Sequence, residues 1–230
     1  HQPRQTQYKK SPVYESSNME PAVLSKNDPR LVDWMHIEDI TDLAAAKYIG
    51  NIWDPPVACL EAAKAWVMGR IRPVVGVRAP ISYELATSEF IPMDWSTSPG
   101  LKYKGSNKRQ LVASESFRQD VEKQLERPGT YFTTYLKDEL RPLEKVKIGK
   151  TRAIEACNFD YTIAYRMVMG GIYKKIYQDG EAYCGLAVGI CPYTHWAGLV
   201  SNLKKYSLCL DFKGFDGSLP PELLRAGVEI

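Results

Sequence analysis

Asp211 and Asp216 stand five positions apart in the segment Ser207-Leu208-Cys209-Leu210-Asp211-Phe212-Lys213-Gly214-Phe215-Asp216-Gly217-Ser218-Leu219. The segment reads as a strand running into a tight turn. An acid at a strand end can reach a cleft and bind Mg²⁺, an oxygen-seeking ion that takes one or two protein carboxylates together with phosphates. Gly214 lets the chain turn sharply, so Asp216 can face the same cleft as a second ligand or as an acceptor for a sugar hydroxyl. Upstream, KDELRPLEKVKIGKTR (Lys137 to Arg152) gathers Lys137, Arg141, Lys145, Lys147, Lys150 and Arg152 against Asp138, Glu139 and Glu144. Arginine forks bind phosphate bidentately and stack on bases. Acids for hard metal ions and cations for phosphates are the requirements of nucleotidyl transfer. Each piece also has an ordinary structural reading: an Asp-rich turn with an N-capping acid, and a solvated basic hairpin.

A third segment, Ser96-Thr97-Ser98-Pro99-Gly100, is a small-residue loop followed by Lys102, Lys104, Lys108 and Arg109. Its amides and hydroxyls can grip a phosphate chain; its ordinary reading is an exposed turn. Gly185-Leu186-Ala187-Val188-Gly189 lacks the Lys-Ser/Thr ending of a phosphate loop. Cys184, Cys191 and His195 match no common zinc spacing.

These segments must be positioned by a chain of 230 residues, long enough for one large domain or two smaller ones. Hydrophobic content of 44% and charged content of 25% exclude disorder throughout. A net charge of +3 is small, so any nucleic-acid footprint must come from clustering. Five cysteines without a CxxC pair argue against a disulfide framework. No apolar run approaches the ~18 residues of a membrane span, and the N-terminus lacks a signal-peptide core.

Periodicity predicts a helix over about His36 to Tyr48 and a second opened by Pro55-Pro56, with Gly69 near its end. Ala22-Val23-Leu24 reads as a short strand, and residues 70–113 as loops with short strands. A third helix carries the stripe Phe117, Val121, Leu125 and ends before Pro128-Gly129. Thr130 to Leu136 and Ala153 to Ala156 read as strands bordering the basic run. A longer helix is predicted from Asp160 to Tyr177 with a stop at Asp179-Gly180, then a strand over Tyr206–Phe212, and a final helix near Ser218.

Taken in order, the segments from EPAVLSKNDPRL to DFKGFDGSL resemble the picornavirus-like RNA-dependent RNA polymerases of positive-strand RNA viruses, and among them the enzymes of insect-infecting members. TYLKDELRPLEKVKIGKTRAIEA and CLDFKGFDGSL carry most of the likeness. The resemblance implies an α+β fold: a fingers subdomain over 1–168, with a fingertip basic hairpin at about 137–156, and the start of the palm over 169–230. It implies that Lys137, Arg141, Lys145, Lys150 and Arg152 contact the incoming triphosphate and the template–product strands. Arg152 would stack on the incoming base and Lys137 would lie near its phosphates. Asp211 would be the catalytic metal ligand, and Asp216 would select ribonucleotides through the 2′-hydroxyl. Thr97, Ser98 and Gly100 would guide template RNA, with Pro99 where the family often has Ala.

Mg²⁺, with Mn²⁺ as a substitute, is the implied cofactor. The implied partners are template and product RNA, NTPs, and the remaining palm and thumb of the same polymerase. The implied location is the host cytoplasm at viral replication complexes. The family's later motifs, including the Gly-Asp-Asp turn, are not in these 230 residues, so the isolated chain is expected to be inactive. A reverse transcriptase usually places an aromatic residue where a ribose would clash; Asp216 argues for RNA synthesis. A non-catalytic RNA-binding fragment is the reading from another class.

Overall fold

The computed structural model describes residues 5–14, 17–25, 27–32, 53–76, 78–183, 191, 193–201, 203–212 and 214–230. The helix expected at His36–Tyr48, the Gly185–Gly189 segment, Cys184 and Lys213 lie outside them. The chain divides into two compact units, one of residues 1–51 and 131–157, the other of residues 52–130 and 158–230.

In the first unit, β1 (Met19–Pro21) pairs antiparallel with β3 (Leu140–Pro142), Glu20 facing Arg141. The strand falls just before the Ala22-Val23-Leu24 expected from composition. Ala22 and Val23 are instead buried beside it, and the Ala22 N–H donates to Glu139 O at 2.8 Å. The basic run is bordered as expected: β2 (Thr133–Leu136) and β4 (Ala153–Ala156) pair antiparallel with Leu136 opposite Ala153. The run is more than a hairpin, because β3 and a short helix, α5 (Leu143–Lys147), interrupt it. Gly149, at φ +64°, ends α5 and returns the chain towards β4. Val23 and Val146 form the small core, with Leu31 and Leu136 packed on it. Thr151 Oγ1 donates to Val23 O at 2.7 Å and ties the returning chain to that core.

The second unit is helical. α1 (Val57–Val75) contains Gly69 well inside it and holds Pro73 in its last turn. The described residues of 70–113 form no strand; they supply α2 (Tyr83–Ala86), a 3₁₀ turn at Leu101–Tyr103 and α3 (Lys108–Val112). Asn107 caps α3 through Oδ1, which accepts the Arg109 N–H at 2.8 Å. α4 (Glu115–Glu126) ends ahead of Pro128-Gly129 as expected. Its Phe117 and Val121, one turn apart, pack on Phe159 and Ile163, also one turn apart, of α6 (Phe159–Tyr183). The Phe117 and Phe159 rings stack at 5.2 Å, and Tyr103 meets Phe117 edge-on at 5.3 Å. α6 runs past Asp179-Gly180 to Tyr183, because one glycine weakens a long packed helix without ending it. Short helices α7 (Trp196–Ser201) and α8 (Phe215–Ser218) follow, then α9 (Pro221–Glu229), with Pro221 in its first turn.

The strand expected over Tyr206–Phe212 is not formed; these residues are irregular and exposed. Leu208 is 82% and Leu210 70% accessible. Alternating sequence makes a strand only when a neighbouring strand satisfies its backbone groups. No described segment pairs with this one.

Candidate functional site

The basic run is organised by an acid. Glu139, at the turn between β2 and β3, is 8% accessible. Its carboxylate accepts Arg152 Nε at 2.7 Å and a second bond from the same guanidinium, a bidentate fork. Lys137 Nζ lies 3.6 Å from one oxygen and Arg141 Nη1 3.7 Å from the other. The Arg152 side chain remains 58% exposed, so its plane is held at one edge and open elsewhere. The Lys137 N–H donates to Arg152 O at 2.8 Å, continuing the β2–β4 ladder and setting the two cations side by side. The Arg152 fork, with Lys137 and Arg141 behind it, holds the Glu139 carboxyl below the usual carboxylate range despite burial. One carboxylate facing three cations leaves an excess of positive charge. The buried Arg141 Nε has no hydrogen-bond partner among the described residues.

Thus Lys137, Arg141 and Arg152 come together. Lys145 is half-buried on α5, and exposed Lys150 sits in the turn after it, its N–H donating to Lys145 O at 2.9 Å. Glu139 was not among the expected site residues. The signal for it was an acid between Lys137 and Arg141 in a run otherwise dominated by cations.

The small-residue loop is built from beneath. Pro99 and Gly100 are buried, and Gly100 adopts φ +96°, a conformation that favours glycine. Pro99 O accepts the N–H of Phe159, the first residue of α6, at 2.9 Å. Asn158 Oδ1 accepts the Lys102 N–H at 3.1 Å. Of the cations that follow the loop, Lys102 and Lys108 are turned to internal partners. Lys102 Nζ bridges Asp120 at 2.9 Å and fully buried Asp160 at 2.8 Å. Burial works against its charge, but the bonds to Asp160 and Asp120 prevail and raise its pKa. Lys108 is buried, with Nζ donating to Asp94 O at 2.8 Å and to Thr97 Oγ1. Lys104 is exposed, and the exposed Arg109 guanidinium lies 4.7 Å from the Trp95 ring centre. Thr97 and Ser98 are exposed, and Ser98 Oγ accepts the Gly100 N–H at 3.2 Å.

Asp211 is exposed in irregular backbone, and exposed Asp216 lies in the first turn of α8 after Gly214 at φ +63°. The glycine turn expected between the two acids is therefore present, while the strand before it is not. Asp211 offers oxygen donors of the type that divalent magnesium prefers. Among the described residues no three His, Cys, Asp or Glu side chains converge on a point that could hold a metal. The Cys191 N–H donates to His195 Nδ1 at 2.9 Å.

The sequence pattern of the viral RNA-dependent RNA polymerase family matches residues 10–230. The chain belongs to that family. It is 42% identical over 229 residues to the genome polyprotein of Ljunganvirus 1, covering 92% of this chain and 10% of that polyprotein. It is 40% identical to that of human parechovirus 5, over 98% of this chain and 11% of the relative, and 34% identical to that of human rhinovirus 14, over 88% and 9%. The solved Sicinivirus 3Dpol RNA-dependent RNA polymerase superposes with a TM-score of 0.71 at 30% identity, over 87% of this chain and 44% of that one. The chain is thus part of a polymerase of picornavirus type and spans less than half of that solved enzyme. These relatives are ljunganvirus, parechovirus and rhinovirus polyproteins, which corrects the insect-virus affinity expected from sequence.

Proposed function

We propose that the protein containing this chain copies an RNA template by two-metal nucleotidyl transfer from NTPs, with residues 1–168 as fingers and 169–230 as the start of the palm. The observation that carries this reading is the Glu139-anchored cluster. A guanidinium fixed at one edge by a bidentate carboxylate, on a side chain 58% exposed, suits stacking of Arg152 on an incoming base. The excess positive charge of Lys137, Arg141 and Arg152 around one carboxylate suits triphosphate oxygens, with Lys137 beside the phosphates and Lys145 and Lys150 along the nucleic-acid strands. Thr97, Ser98 and Gly100 belong to the loop that guides template RNA, and Asp216 accepts a hydrogen bond from the ribose 2′-hydroxyl.

Polymerases of this family use divalent metal ions, and Asp211 supplies a carboxylate for Mg²⁺ or Mn²⁺. Such ions, when bound, activate the attacking hydroxyl and stabilise the leaving oxygen. The cations of the basic run orient the triphosphate for that step and screen its charge. Template and product RNA, NTPs and the rest of the palm and thumb are the partners, in the host cytoplasm at replication complexes.

Asp211→Asn in the full polymerase tests the assignment. It keeps the side chain's size, removes a ligand charge and is expected to reduce primer extension at least a hundredfold, about 3 kcal/mol of transition-state stabilisation, with RNA binding retained. Near-normal extension by the mutant would remove Asp211 from the metal site.

A further inference from the structure

Lys108 is the least expected residue of the second unit. It sits at the first position of α3, 8% accessible, and among the described residues no carboxylate oxygen lies within ion-pair distance of it. Its ammonium has three protons. One goes to Asp94 O at 2.8 Å, another to Thr97 Oγ1, and the group lies 5.3 Å from the centre of the Phe159 ring. A buried cation whose hydrogen bonds go to neutral acceptors, with the Asp94 carboxylate acting on it only through space, is expensive to keep. Desolvation lowers its pKa accordingly. An apolar side chain would fill the position more cheaply, so the position demands donors.

The partners show what is gained. Thr97 Oγ1 accepts from Lys108 and donates its own proton to Asp94 O at 3.1 Å. The Thr97 hydroxyl is therefore committed to the interior of the loop. Asp94 Oδ1 accepts both Ser96 N–H and Ser96 Oγ, closing the same turn from its other side. Ser98 differs: its Oγ accepts the Gly100 N–H, which leaves its proton for an outside acceptor. We propose that Lys108 is a positioning residue for template entry, a buried ammonium that locks Thr97 and Asp94 so that the Ser98 hydroxyl and the neighbouring loop face are presented to a template phosphate. Lys108 and Thr97 then act as one unit without touching RNA, and Ser98 makes the contact. This inference rests on the polymerase reading and redistributes roles within the loop.

The test uses the full polymerase with a template–primer duplex across a salt series. Lys108→Met removes the donors and keeps the stem; Thr97→Val removes the acceptor and leaves the lysine. Each is expected to weaken template affinity about tenfold, as for a lost hydrogen bond to a charged group. In Lys108→Met the turnover of preassembled elongation complexes and the KM for NTP should stay within about twofold. The double variant should be no weaker than the weaker single one, since both break the same unit. The salt slope should be unchanged in both, because neither residue neutralises a phosphate, whereas loss of a phosphate-contacting cation lowers the slope by about one. Lys108→Arg should recover part of the affinity. Ser98→Ala alone should weaken binding about as much, and should add little to Thr97→Val, since Ser98 makes the contact that the unit presents.

Normal template affinity in Thr97→Val, additive losses in the double variant, or a reduced salt slope in Lys108→Met would each overturn the proposal. Thr97→Val preserves the buried charge and its packing, so it decides the matter even if Lys108→Met does not fold. If the unmodified polymerase fails to copy RNA, the parent reading fails. If it copies RNA and Thr97→Val binds template normally, only the positioning role fails.

Discussion

Glu139 holds three cations in register with one carboxylate, and its protonation state therefore tunes the whole basic run. Its folded pKa is depressed, first by the Arg152 fork and then by Lys137 and Arg141. A depressed acid stabilises the fold above its unfolded value, about 4.3, and that contribution is lost as pH falls through the lower folded value. Glu139→Gln is thus expected to cost about 1–2 kcal/mol at pH 7, towards the low end for charged hydrogen bonds because Arg152 is 58% exposed and screened. The gap between wild type and mutant should narrow as pH drops from about 5 to 3. Urea unfolding midpoints at several pH values check this; a gap that persists at about pH 3 would mean that Glu139 acts through shape and not charge. The clustering of Arg152, Arg141 and Lys137 was legible in the sequence because cations crowd the run from 137 to 152. Glu139 and Lys108 were harder to read, because burial and direction, which depend on tertiary packing, decide whether a charge serves the interior or the solvent. The same reason divides Lys102 and Lys108, which turn inward, from Lys104 and Arg109, which do not.

Elements held together by local periodicity were the most readable. The Phe117–Val121 stripe on α4 and the β-forming segments around the basic run appear where pattern put them. Phe117 is 1% accessible and contacts the rings of both Phe159 and Tyr103. Phe117→Ala should therefore destabilise the second unit by about 3–5 kcal/mol, the cost of a lost aromatic plus the cavity it leaves. Chemical denaturation measures it, and a loss under about 1 kcal/mol would show that α4 and α6 do not depend on this contact. Residues 206–212 were misread for the opposite reason. Their alternation is that of a strand, yet a strand is a property of a pair, and the described residues supply no partner. Within the longer polymerase, amides of residues 207–211 should exchange with solvent at least tenfold more slowly than in the 230-residue chain, as pairing protects backbone N–H groups. Equal exchange in both would mean that Asp211 does not stand at a strand end in either. The β1 position was missed by a few residues because Ala22 and Val23 look like strand and serve as core.

At the scale of the molecule, the 230 residues carry a net charge of only +3, so binding to RNA must come from local clusters. Lys137, Lys150 and Arg152 in one unit and Lys104 and Arg109 in the other keep exposed or half-exposed charge. The isolated chain is expected to bind single-stranded RNA weakly, with affinity falling steeply as salt rises, because each neutralised phosphate releases a counterion. Reversing the charge of Lys150 and Lys104 together should lower the salt slope by about two, since both are placed to neutralise phosphates and neither is spent on a buried partner. The same chain is expected to show no template-directed synthesis with Mg²⁺ or Mn²⁺. In-line displacement needs two ions about 3.5–4 Å apart held by several oxygen ligands. The described residues bring no three metal-binding side chains together, and Asp211 lies exposed in irregular backbone. Fluorescence anisotropy across a salt series and a primer-extension assay on the same preparation separate the two halves of this expectation. Salt-independent binding would show that RNA is held by something other than these cations. Synthesis by the 230 residues alone would show that they assemble a metal site without further chain, moving the catalytic centre away from the arrangement argued for Asp211.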